Sequence, residues 1–346
     1  MKAMVLHGNY DVRYEDVQKP APGYDQVLVK VKYVGLCATD ISFYTGNSSF
    51  AAQGLIRYPM IQGHEWSGVV EEIGDGVKKV QVGDRVIGDC AVTCGYCQPC
   101  LAGDYIQCEN QRAVGTVNAW DGAMADYILM PQRSVYKIPD NVDMDVAALV
   151  EPLAIGFYAV QRAQIKLGDA VVICGTGAIG FGALCAAVHS AARTVILAGR
   201  KSGKLALGKR LGADACVNLT KEDFAASVKA LTGGKGADVI VEATGAQETL
   251  LSAVAATRDS GTIAIPAFYE QSIRAFPMDD AVLRNLRIVG VSGSPNMAPH
   301  VLEFLSQGEM QVRDLITARY KVRDLEKAYE DAIHNRENIK IMLEND

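Results

Sequence analysis

The sequence predicts an α/β protein in two parts, a β-rich region followed by a doubly wound parallel sheet. Three observations predict this fold class. Short alternating runs of valine and isoleucine, separated by Gly, Pro and Asp, fill residues 1–148. From Glu151 onward, strand-like and helix-like stretches alternate. A glycine motif, Gly175-x-Gly177-x-x-Gly180, lies where one of these strands gives way to a helix.

The first region is predicted to be all-β. Its apolar residues alternate with polar ones, which is the period of a strand with one buried face. The predicted strands with the clearest alternation are 27–35, 66–74 and 84–92. A chain of 346 residues is long enough for about two domains, so a second domain is expected after this one.

The second region is predicted to form a parallel sheet with helices on both faces, because strands and helices alternate along it. Its predicted strands are 170–175, 194–199, 215–219, 237–245, 261–267 and 287–293. Its predicted helices are 178–191, 202–213 and 224–234. The tail is predicted to contain helices 299–310 and 325–334 and a final strand, 339–343.

The composition excludes several classes of protein. Hydrophobic residues make up 49% of the chain and charged residues 21%, which is typical of a globular protein. A net charge of −6 gives no support to a nucleic-acid or membrane partner. The first residues lack the apolar core of a signal peptide. Residues 170–192 carry no Asp, Glu, Lys or Arg, but their glycines and β-branched residues favour a strand, a turn and a helix over a membrane span.

Four closely spaced cysteines, Cys94, Cys97, Cys100 and Cys108, predict a metal site. Four thiolates can surround one tetrahedral Zn²⁺ and leave no position for substrate, so the predicted site is structural. An iron–sulfur cluster is the alternative, but the spacing matches neither common ferredoxin pattern. Free surface thiols are the least favoured explanation. Nine cysteines, an odd number with one such cluster, indicate a reducing compartment, and we expect a cytoplasmic protein.

The glycine motif predicts a dinucleotide site. Gly175 permits the tight turn, Gly177 lets a pyrophosphate approach the backbone, and Gly180 lets helix and strand pack closely. The helix that begins with Ala178 and Ile179 would present its free N–H groups to the phosphates.

The end of the second strand of that sheet predicts NADP(H) rather than NAD(H). NAD enzymes place a carboxylate there to bind ribose hydroxyls, whereas this chain has Gly199 followed by Arg200 and Lys201. Nothing there repels a 2′-phosphate, and an arginine can pair with its oxygens. Lys204 is also predicted to bind the cofactor, together with Gly199, Arg200 and Lys201. The alternative is that these cations are solvated charges at the start of a helix.

A second metal site is predicted from residues that lie far apart in the chain. Cys37 follows a predicted strand, His64 and Glu65 lie in a turn, and Glu151 lies where the β-rich region ends. A thiolate, an imidazole and a carboxylate form an open zinc set that leaves a position for water or a substrate oxygen. Each residue also has an ordinary explanation, as a small buried hydrophobe, a structural histidine or the start of a helix.

With these motifs the chain resembles the zinc-containing medium-chain dehydrogenase/reductases, the alcohol dehydrogenase-like superfamily, and within it the polyol (sorbitol-like) dehydrogenases. The resemblance covers nearly the whole chain. It is carried by the segments GLCATD, GHEWSGVVEEIG, VGDRV, CGYCQPC, DGAMADY, EPLAIG, GTGAIG and ADVIVEATG. It implies a GroES-like catalytic domain formed by 1–150 and 290–346, with a zinc lobe at about 90–110, and a Rossmann domain at 151–289.

The resemblance also implies roles for individual residues. Cys37 and His64 would ligate a catalytic zinc. Glu65 and Glu151 are the two candidates for the carboxylate that binds this zinc or holds a zinc-bound water. Asp40 would orient His64 through its other ring nitrogen.

The proton route implied by the resemblance is incomplete in this sequence. Thr39 would carry the substrate proton outward, but this chain has Ser42 where polyol enzymes often have a histidine. The stretch 46–58 looks longer than usual for the family. Three residues near predicted strand ends are expected to lie close to the cofactor: Thr244, Pro266 and Ser292.

The predicted function is the reversible oxidation of a secondary alcohol of a polyol, sugar alcohol or polyol phosphate to the ketone, with two Zn²⁺ per chain and NADP(H) as the favoured cofactor. A small diol or a threonine-like amino alcohol is the alternative substrate. A zinc-free quinone or enone reductase on the same fold and a non-enzymatic nucleotide-sensing protein are the rival classes. The resemblance implies a homodimer or homotetramer.

Overall fold

The computed structural model describes residues 1–308 and 311–345. The chain divides into two compact units. One joins residues 1–151 to the chain from Ala298 onward, and the other is Pro152–Met297. The first is rich in β-strands and the second contains a helix-covered parallel sheet, so the predicted α/β fold class is confirmed.

The first unit is built mainly on antiparallel strands. Its strands, numbered in chain order, are β1 (Lys2–Gly8), β2 (Asp11–Asp16), β3 (Gln26–Gly35), β4 (Met60–Ile61), β5 (Glu65–Ile73), β6 (Arg85–Gly88), β7 (Ala91–Val92), β8 (Arg112–Ala113), β9 (Tyr127–Pro131), β10 (Val135–Lys137), β17 (Ile316–Lys321) and β18 (Lys340–Glu344). A seven-stranded sheet has the order β10-β6-β5-β3-β18-β17, with β9 paired to β3. Two smaller sheets have the orders β2-β1-β4 and β7-β8.

The helices of the first unit are short. They are α1 (Ala38–Thr45), α2 (Ser49–Ala52), α3 (Gln98–Leu101), α4 (Met144–Ala147), α11 (Ala298–Gln307) and α12 (Leu325–His334). Helix α5 (Val150–Ala163) begins in this unit and continues into the second.

The end of the chain returns to the first unit as a strand of its large sheet. Strand β18 lies between β3 and β17. Met342 of β18 pairs with Gly35 of β3, and Gly35 also pairs with Glu65 of β5. Because β18 is buried along most of its length, the sheet would expose apolar surface without it. This pairing brings Lys340, the first residue of β18, close to the start of β5.

The second unit is a six-stranded parallel sheet. Its strands are β11 (Ala170–Cys174), β12 (Thr194–Gly199), β13 (Ala215–Asn218), β14 (Ala237–Glu242), β15 (Thr257–Ile265) and β16 (Arg287–Gly290). Its helices are α6 (Ala178–Val188), α7 (Ser202–Arg210), α8 (Phe224–Leu231), α9 (Gln247–Ala256) and α10 (Met278–Leu283). In the order β13-β12-β11-β14-β15-β16, strands β12 and β13 are added on one side of β11 and the later strands on the other. The order along the chain therefore switches between β11 and β14. Sheets of this kind bind ligands at the carboxyl ends of the strands beside that switch point.

Several predicted elements differ in length from the observed ones. The strand predicted at 287–293 ends at Gly290, because its partner Ile265 is the last residue of β15 and the ladder between the two strands stops there. The helix predicted at 299–310 corresponds to α11. Of the predicted domain 290–346, residues 309, 310 and 346 lie outside the described residues.

The stretch without charged side chains, 170–192, forms β11, the glycine turn and α6. Helix α6 has 11 residues. Within the described ranges, no helix combines the length and the apolar character that crossing a bilayer requires.

Candidate metal centres and nucleotide site

Three side chains of the types that ligate metals meet at the ends of neighbouring elements in the first unit. Cys37 is the N-cap residue of α1, and His64 and Glu65 lie where β5 begins. Because Gly35 of β3 pairs with Glu65, the two segments are held side by side. One ligand atom of each of Cys37, His64 and Glu65 lies within 4.8 Å of the others. His64 and Glu65 are buried and Cys37 is half-buried, so the cluster lies in a low-dielectric environment.

Asp40 lies behind this cluster and has no exposed surface. The Cys37 amide donates to Asp40 Oδ2 at 2.9 Å. Asp40 Oδ1 lies 3.8 Å from His64 Nδ1, which is too long for a hydrogen bond, and among the described residues neither atom has a hydrogen-bond partner. Burial raises the pKa of Asp40. Burial alone would lower the pKa of His64, but the neighbouring Cys37 and Asp40 raise it.

Lys340 is a member of this site that the sequence analysis missed. Its ammonium donates to both oxygens of Glu65 at 2.6 Å and to the Leu36 carbonyl at 2.9 Å. Burial alone would lower the pKa of Lys340, but the Glu65 charge raises it. A lysine beside the apolar run of the last predicted strand was the available signal, because buried lysines are rare without a partner.

Glu151 and Cys90 lie beside the cluster without belonging to it. Glu151 is in the first turn of α5, and burial raises its pKa to about 7 against the opposing charge of His64. Cys90 was expected only as a buried hydrophobe. Burial raises its pKa to about 12, and the charges of His64 and Glu151 act on its thiol. No motif surrounds Cys90, so the sequence contained no signal for this position.

Thr39 and Ser42 lie on α1, directly after Cys37. Thr39 is half-buried. The Ser42 hydroxyl donates to the Thr39 carbonyl at 2.9 Å, so its proton is directed to the backbone of its own helix. Ser42 therefore does not extend a side-chain hydrogen-bond chain from the Thr39 hydroxyl in this structure.

The four clustered cysteines form a second compact set, with ligand atoms within 4.8 Å of one another. The Cys94 sulfur lies 3.9 Å from that of Cys100 and 3.7 Å from that of Cys108. Four sulfurs at about 2.3 Å from one tetrahedral ion would be roughly 3.8 Å apart. Burial alone would raise the pKa of Cys94, but amide hydrogen bonds from Tyr96 and Cys97 lower it, which favours the thiolate.

Both donor sets fit Zn²⁺. The four sulfurs have the separations of ligands around one central ion, and all nine cysteines are free of disulfides. The set of Cys37, His64 and Glu65 provides three donors of the types that zinc prefers and leaves a position open. The orphaned ring nitrogen of His64 faces the orphaned oxygen of Asp40, so a small movement of either side chain would join them and orient the histidine toward a metal.

The glycine motif has the geometry of a phosphate-binding turn. Gly175 has a φ of 116°, which is left-handed, and a Cβ there would lie 3.0 Å from the Ala243 carbonyl. A Cβ on Gly180 would collide with the Gly175 carbonyl, so this helix and strand pack at backbone distance. A Cβ on Gly177 would meet nothing within 4 Å, which leaves open space at the N-cap of α6. Ala178 and Ile179 form the first turn of that helix, where free amides accumulate.

Gly199 is the last residue of β12, at the carboxyl edge of the sheet. A Cβ at this position would lie 2.5 Å from Thr176 Cγ2, so a carboxylate side chain does not fit here without movement of Thr176. Arg200 is exposed, Lys201 is the N-cap residue of α7, and Lys204 lies in its first turn.

The three residues predicted near the cofactor also lie at this edge of the sheet. Thr244 follows β14, Pro266 follows β15 and Ser292 follows β16. Their placement is a consequence of the parallel topology, which brings the carboxyl ends of all strands to one edge.

Comparisons with known proteins give matches over nearly the whole chain. A family model described as an alcohol dehydrogenase GroES-like domain matches residues 23–140, and a model described as a zinc-binding dehydrogenase matches residues 178–307. The chain is 32% identical to a sorbitol dehydrogenase of Bacillus subtilis strain 168, over 99% of this chain and 97% of the relative.

A second relative and one solved structure extend these matches. The chain is 32% identical to a D-arabitol-phosphate dehydrogenase of Enterococcus avium, over 95% of this chain and 96% of the relative. The crystal structure of a zinc-binding dehydrogenase from Sinorhizobium meliloti 1021, bound to NADP, superposes with a TM-score of 0.88 at 29% identity, covering 99% of this chain and 98% of the other.

Proposed function

Because the chain belongs to the zinc-binding, alcohol dehydrogenase-like family, we propose that it is a zinc-dependent dehydrogenase that oxidises a secondary alcohol of a polyol, sugar alcohol or polyol phosphate to the ketone. The observation that carries the proposal is the buried cluster of Cys37, His64 and Glu65. A set of three such donors with an open position is typical of catalytic rather than structural zinc.

Cys37, His64 and Glu65 would hold the catalytic zinc in this proposal, and Glu151 would orient a water beside it. Glu65 is favoured as the carboxylate ligand because its oxygen lies in the compact donor cluster, whereas Glu151 lies outside it. Asp40 would orient His64. The group of four cysteines would hold a second, structural zinc.

Bound zinc supplies a Lewis acid that lowers the pKa of an alcohol, and a bound nicotinamide accepts the hydride. The residues of the chain supply positioning and proton movement. Thr39 would accept the substrate hydroxyl proton, since its side chain follows Cys37 by two residues on α1. Ser42 is bonded to the Thr39 carbonyl, so the proton would pass from Thr39 to solvent rather than along this helix.

Turnover with a substrate panel tests the proposed activity. We expect the zinc-loaded protein to reduce NADP⁺ or NAD⁺ with sorbitol, xylitol, arabitol or a polyol phosphate, and Cys37→Ser to abolish this turnover while dinucleotide binding persists. Activity confined to butanediol or threonine would select the alternative substrate class. Quinone or enone reduction by zinc-free protein would select the rival reductase. Turnover by a Cys37→Ser sample whose catalytic site lacks zinc, or no turnover with any substrate, would overturn the proposal.

We also propose that NADP(H) is preferred over NAD(H). Gly199 leaves no carboxylate at the end of β12, and Arg200 and Lys201 place cations beside it. Arg200→Ala should lower kcat/KM for NADP⁺ at least roughly tenfold, because it removes a charge-assisted hydrogen bond to the 2′-phosphate. It should leave kcat/KM for NAD⁺ nearly unchanged. Lys235→Ala, an exposed cation elsewhere in this unit, is the control. A wild-type preference for NAD⁺ would contradict the proposal.

The remaining proposals concern assembly and location. We propose a homodimer formed through β16, which lies at the edge of its sheet, and through the exposed apolar side chains of the neighbouring α10. A tetramer would require a second surface. The thiol-rich metal sites favour a reducing compartment, and we propose the cytoplasm.

A further inference from the structure

Glu242, the last residue of β14, is a carboxylate without any exposed surface. It accepts hydrogen bonds from the amides of Thr244 and Gly245, at 2.9 Å and 3.3 Å, and from the Thr244 hydroxyl. A further donor comes from a different part of the chain, because the Tyr269 hydroxyl donates to Glu242 Oε2 at 2.5 Å. One buried carboxylate therefore joins the turn after β14 to the segment after β15.

One of the two joined segments borders the glycine motif, and the other packs on the first. A Cβ on Gly175 would lie 3.0 Å from the Ala243 carbonyl, so the turn after β14 packs directly against the first glycine. A Cβ on Gly245 would lie 2.6 Å from the Phe268 carbonyl, so the turn and the segment after β15 are also in backbone contact. All of these segments lie at the carboxyl edge of the parallel sheet, where such sheets bind ligands.

The segment after β15, residues 266–277, contains no helix or strand. Its side chains Tyr269, Ile273 and Phe276 pack against the core of the second unit, and the Arg274 amide donates to Gln247 Oε1 at 2.6 Å. An irregular segment must be held in one conformation before it contributes to a binding surface, because ordering it on binding would cost conformational entropy.

We propose that Tyr269 is a positioning residue for dinucleotide binding, and that its hydrogen bond to Glu242 holds residues 266–277 in the binding conformation. The inference rests on the proposed function and adds to it a residue that no motif identified. Tyr269 acts through Glu242 and the segment rather than by touching the reacting atoms. Its removal should therefore change cofactor affinity and leave the alcohol site unchanged.

Fluorescence titration of the zinc-loaded protein with NADPH and with NADH tests the inference. Tyr269→Phe removes a hydrogen bond to a buried carboxylate, and we expect Kd to rise roughly three- to tenfold. The KM for the alcohol and kcat at saturating cofactor should stay at the wild-type values. Tyr158→Phe is the matched control, because it removes a tyrosine hydroxyl of the same unit that accepts from Arg162 at 3.3 Å.

Glu242→Gln provides a second variant, because it keeps the size of the side chain but replaces an acceptor oxygen by an amide group. It should raise Kd in the same direction, and it carries the test if Tyr269→Phe does not fold. If the folded variants bind the dinucleotide with an unchanged Kd, with or without a lower Tm, the inference is overturned. Dinucleotide binding by the wild type would in that case still support the proposed function. A wild-type protein that binds neither NADPH nor NADH would overturn the proposed function itself.

Discussion

Lys340 and Glu65 form a buried salt bridge. Only 4% of the surface of Lys340 and 1% of that of Glu65 is exposed. Removing two charges from water is unfavourable, and the pair is tolerated because both carboxylate oxygens are bonded and the ammonium has the Leu36 carbonyl as a third acceptor. The pair also fixes the orientation of the Glu65 side chain in the metal cluster. Single buried contacts of this kind determine the charge of the site before any metal binds.

Loss of the Lys340 charge should destabilise the metal-free protein. In Lys340→Met, Glu65 becomes an unpaired buried charge, and breaking a buried pair in this way costs about 3–5 kcal/mol. Adding Glu65→Gln removes the orphaned charge and should recover most of the loss. Urea unfolding of EDTA-treated single and double variants measures both effects. A Lys340→Met protein as stable as the wild type would contradict the energetic importance of the pair.

Asp89 is a half-buried carboxylate outside the candidate metal sites. It accepts from the Tyr136 hydroxyl at 2.8 Å, and Lys79 is the nearby cation. Burial raises its pKa from 3.8 to about 6, against the effects of both neighbours. Between these values the folded protein keeps a proton that the unfolded chain has lost. The contribution of Asp89 to stability is therefore fully present below the lower pKa and is lost as the pH rises through the higher one.

Asp89→Asn should remove this pH dependence. As the pH rises from 4 to 7, the free energy of unfolding of the variant should increase relative to that of the wild type by up to about 3 kcal/mol. Urea unfolding at a series of pH values measures the difference. Asp75→Asn, at an exposed position, is the control and should show no comparable trend. A difference for Asp89→Asn that is constant with pH would refute the assignment.

At the scale of elements, the cysteine lobe has little structure of its own. Strands β7 and β8 have two residues each and α3 has four. The buried apolar cluster of the lobe consists of cysteines, with the half-buried Tyr105 packed against it. With so small a core, the lobe would gain its order from the proposed structural zinc rather than from hydrophobic burial.

Cys97→Ser should therefore mainly destabilise the lobe and have a smaller effect on turnover. We expect the zinc content to fall from two ions per chain to one and the lobe to become sensitive to protease. Dinucleotide binding should be unchanged. Cys216→Ser, at a half-buried cysteine outside both clusters, is the control. A Cys97→Ser protein that keeps two zinc ions, or that loses catalysis at unchanged stability, would show that the site is not structural.

At the scale of the whole molecule, the last strands of the two large sheets differ in their surroundings. In the first unit, the last strand of the chain, β18, lies inside its sheet with a neighbour on each side, β3 and β17. In the second unit, β15 is the one strand that pairs with β16 among the described residues. Exposed apolar side chains lie on β16 and α10: Met278, Val282, Leu283 and Ile288. An unpaired strand edge beside apolar surface is a typical surface for pairing with a second copy of the chain.

Leu283→Lys should weaken the proposed dimer. Leu283 is 81% exposed, and a charge at the centre of a buried apolar contact is unfavourable. Sedimentation or light scattering should show a concentration-dependent shift from dimer to monomer. Leu167→Lys is the matched control, since Leu167 is 90% exposed but lies outside this surface. A wild-type monomer, or a Leu283→Lys dimer as stable as the wild type, would exclude this interface.

Local signals were sufficient wherever the chemistry is contained in a short segment. The spacing of the four cysteines predicts a cluster that the structure brings together, and the order of strand, glycines and helix predicts the phosphate-binding turn. The strand predicted at 287–293 is shorter because its neighbour β15 ends at Ile265, and apolar periodicity along one segment does not detect where its partner ends.

The sequence by itself therefore determined the α/β class, the family resemblance and the residue types at both metal clusters, because these properties depend on periodicity and spacing along the chain. Tertiary structure decided which residues come into contact although they lie far apart in the sequence. The pairing of β18 with β3 brings Lys340 to Glu65, and the parallel sheet brings Tyr269 to Glu242. Such contacts arise from the burial of whole sheets, and no local pattern encodes them.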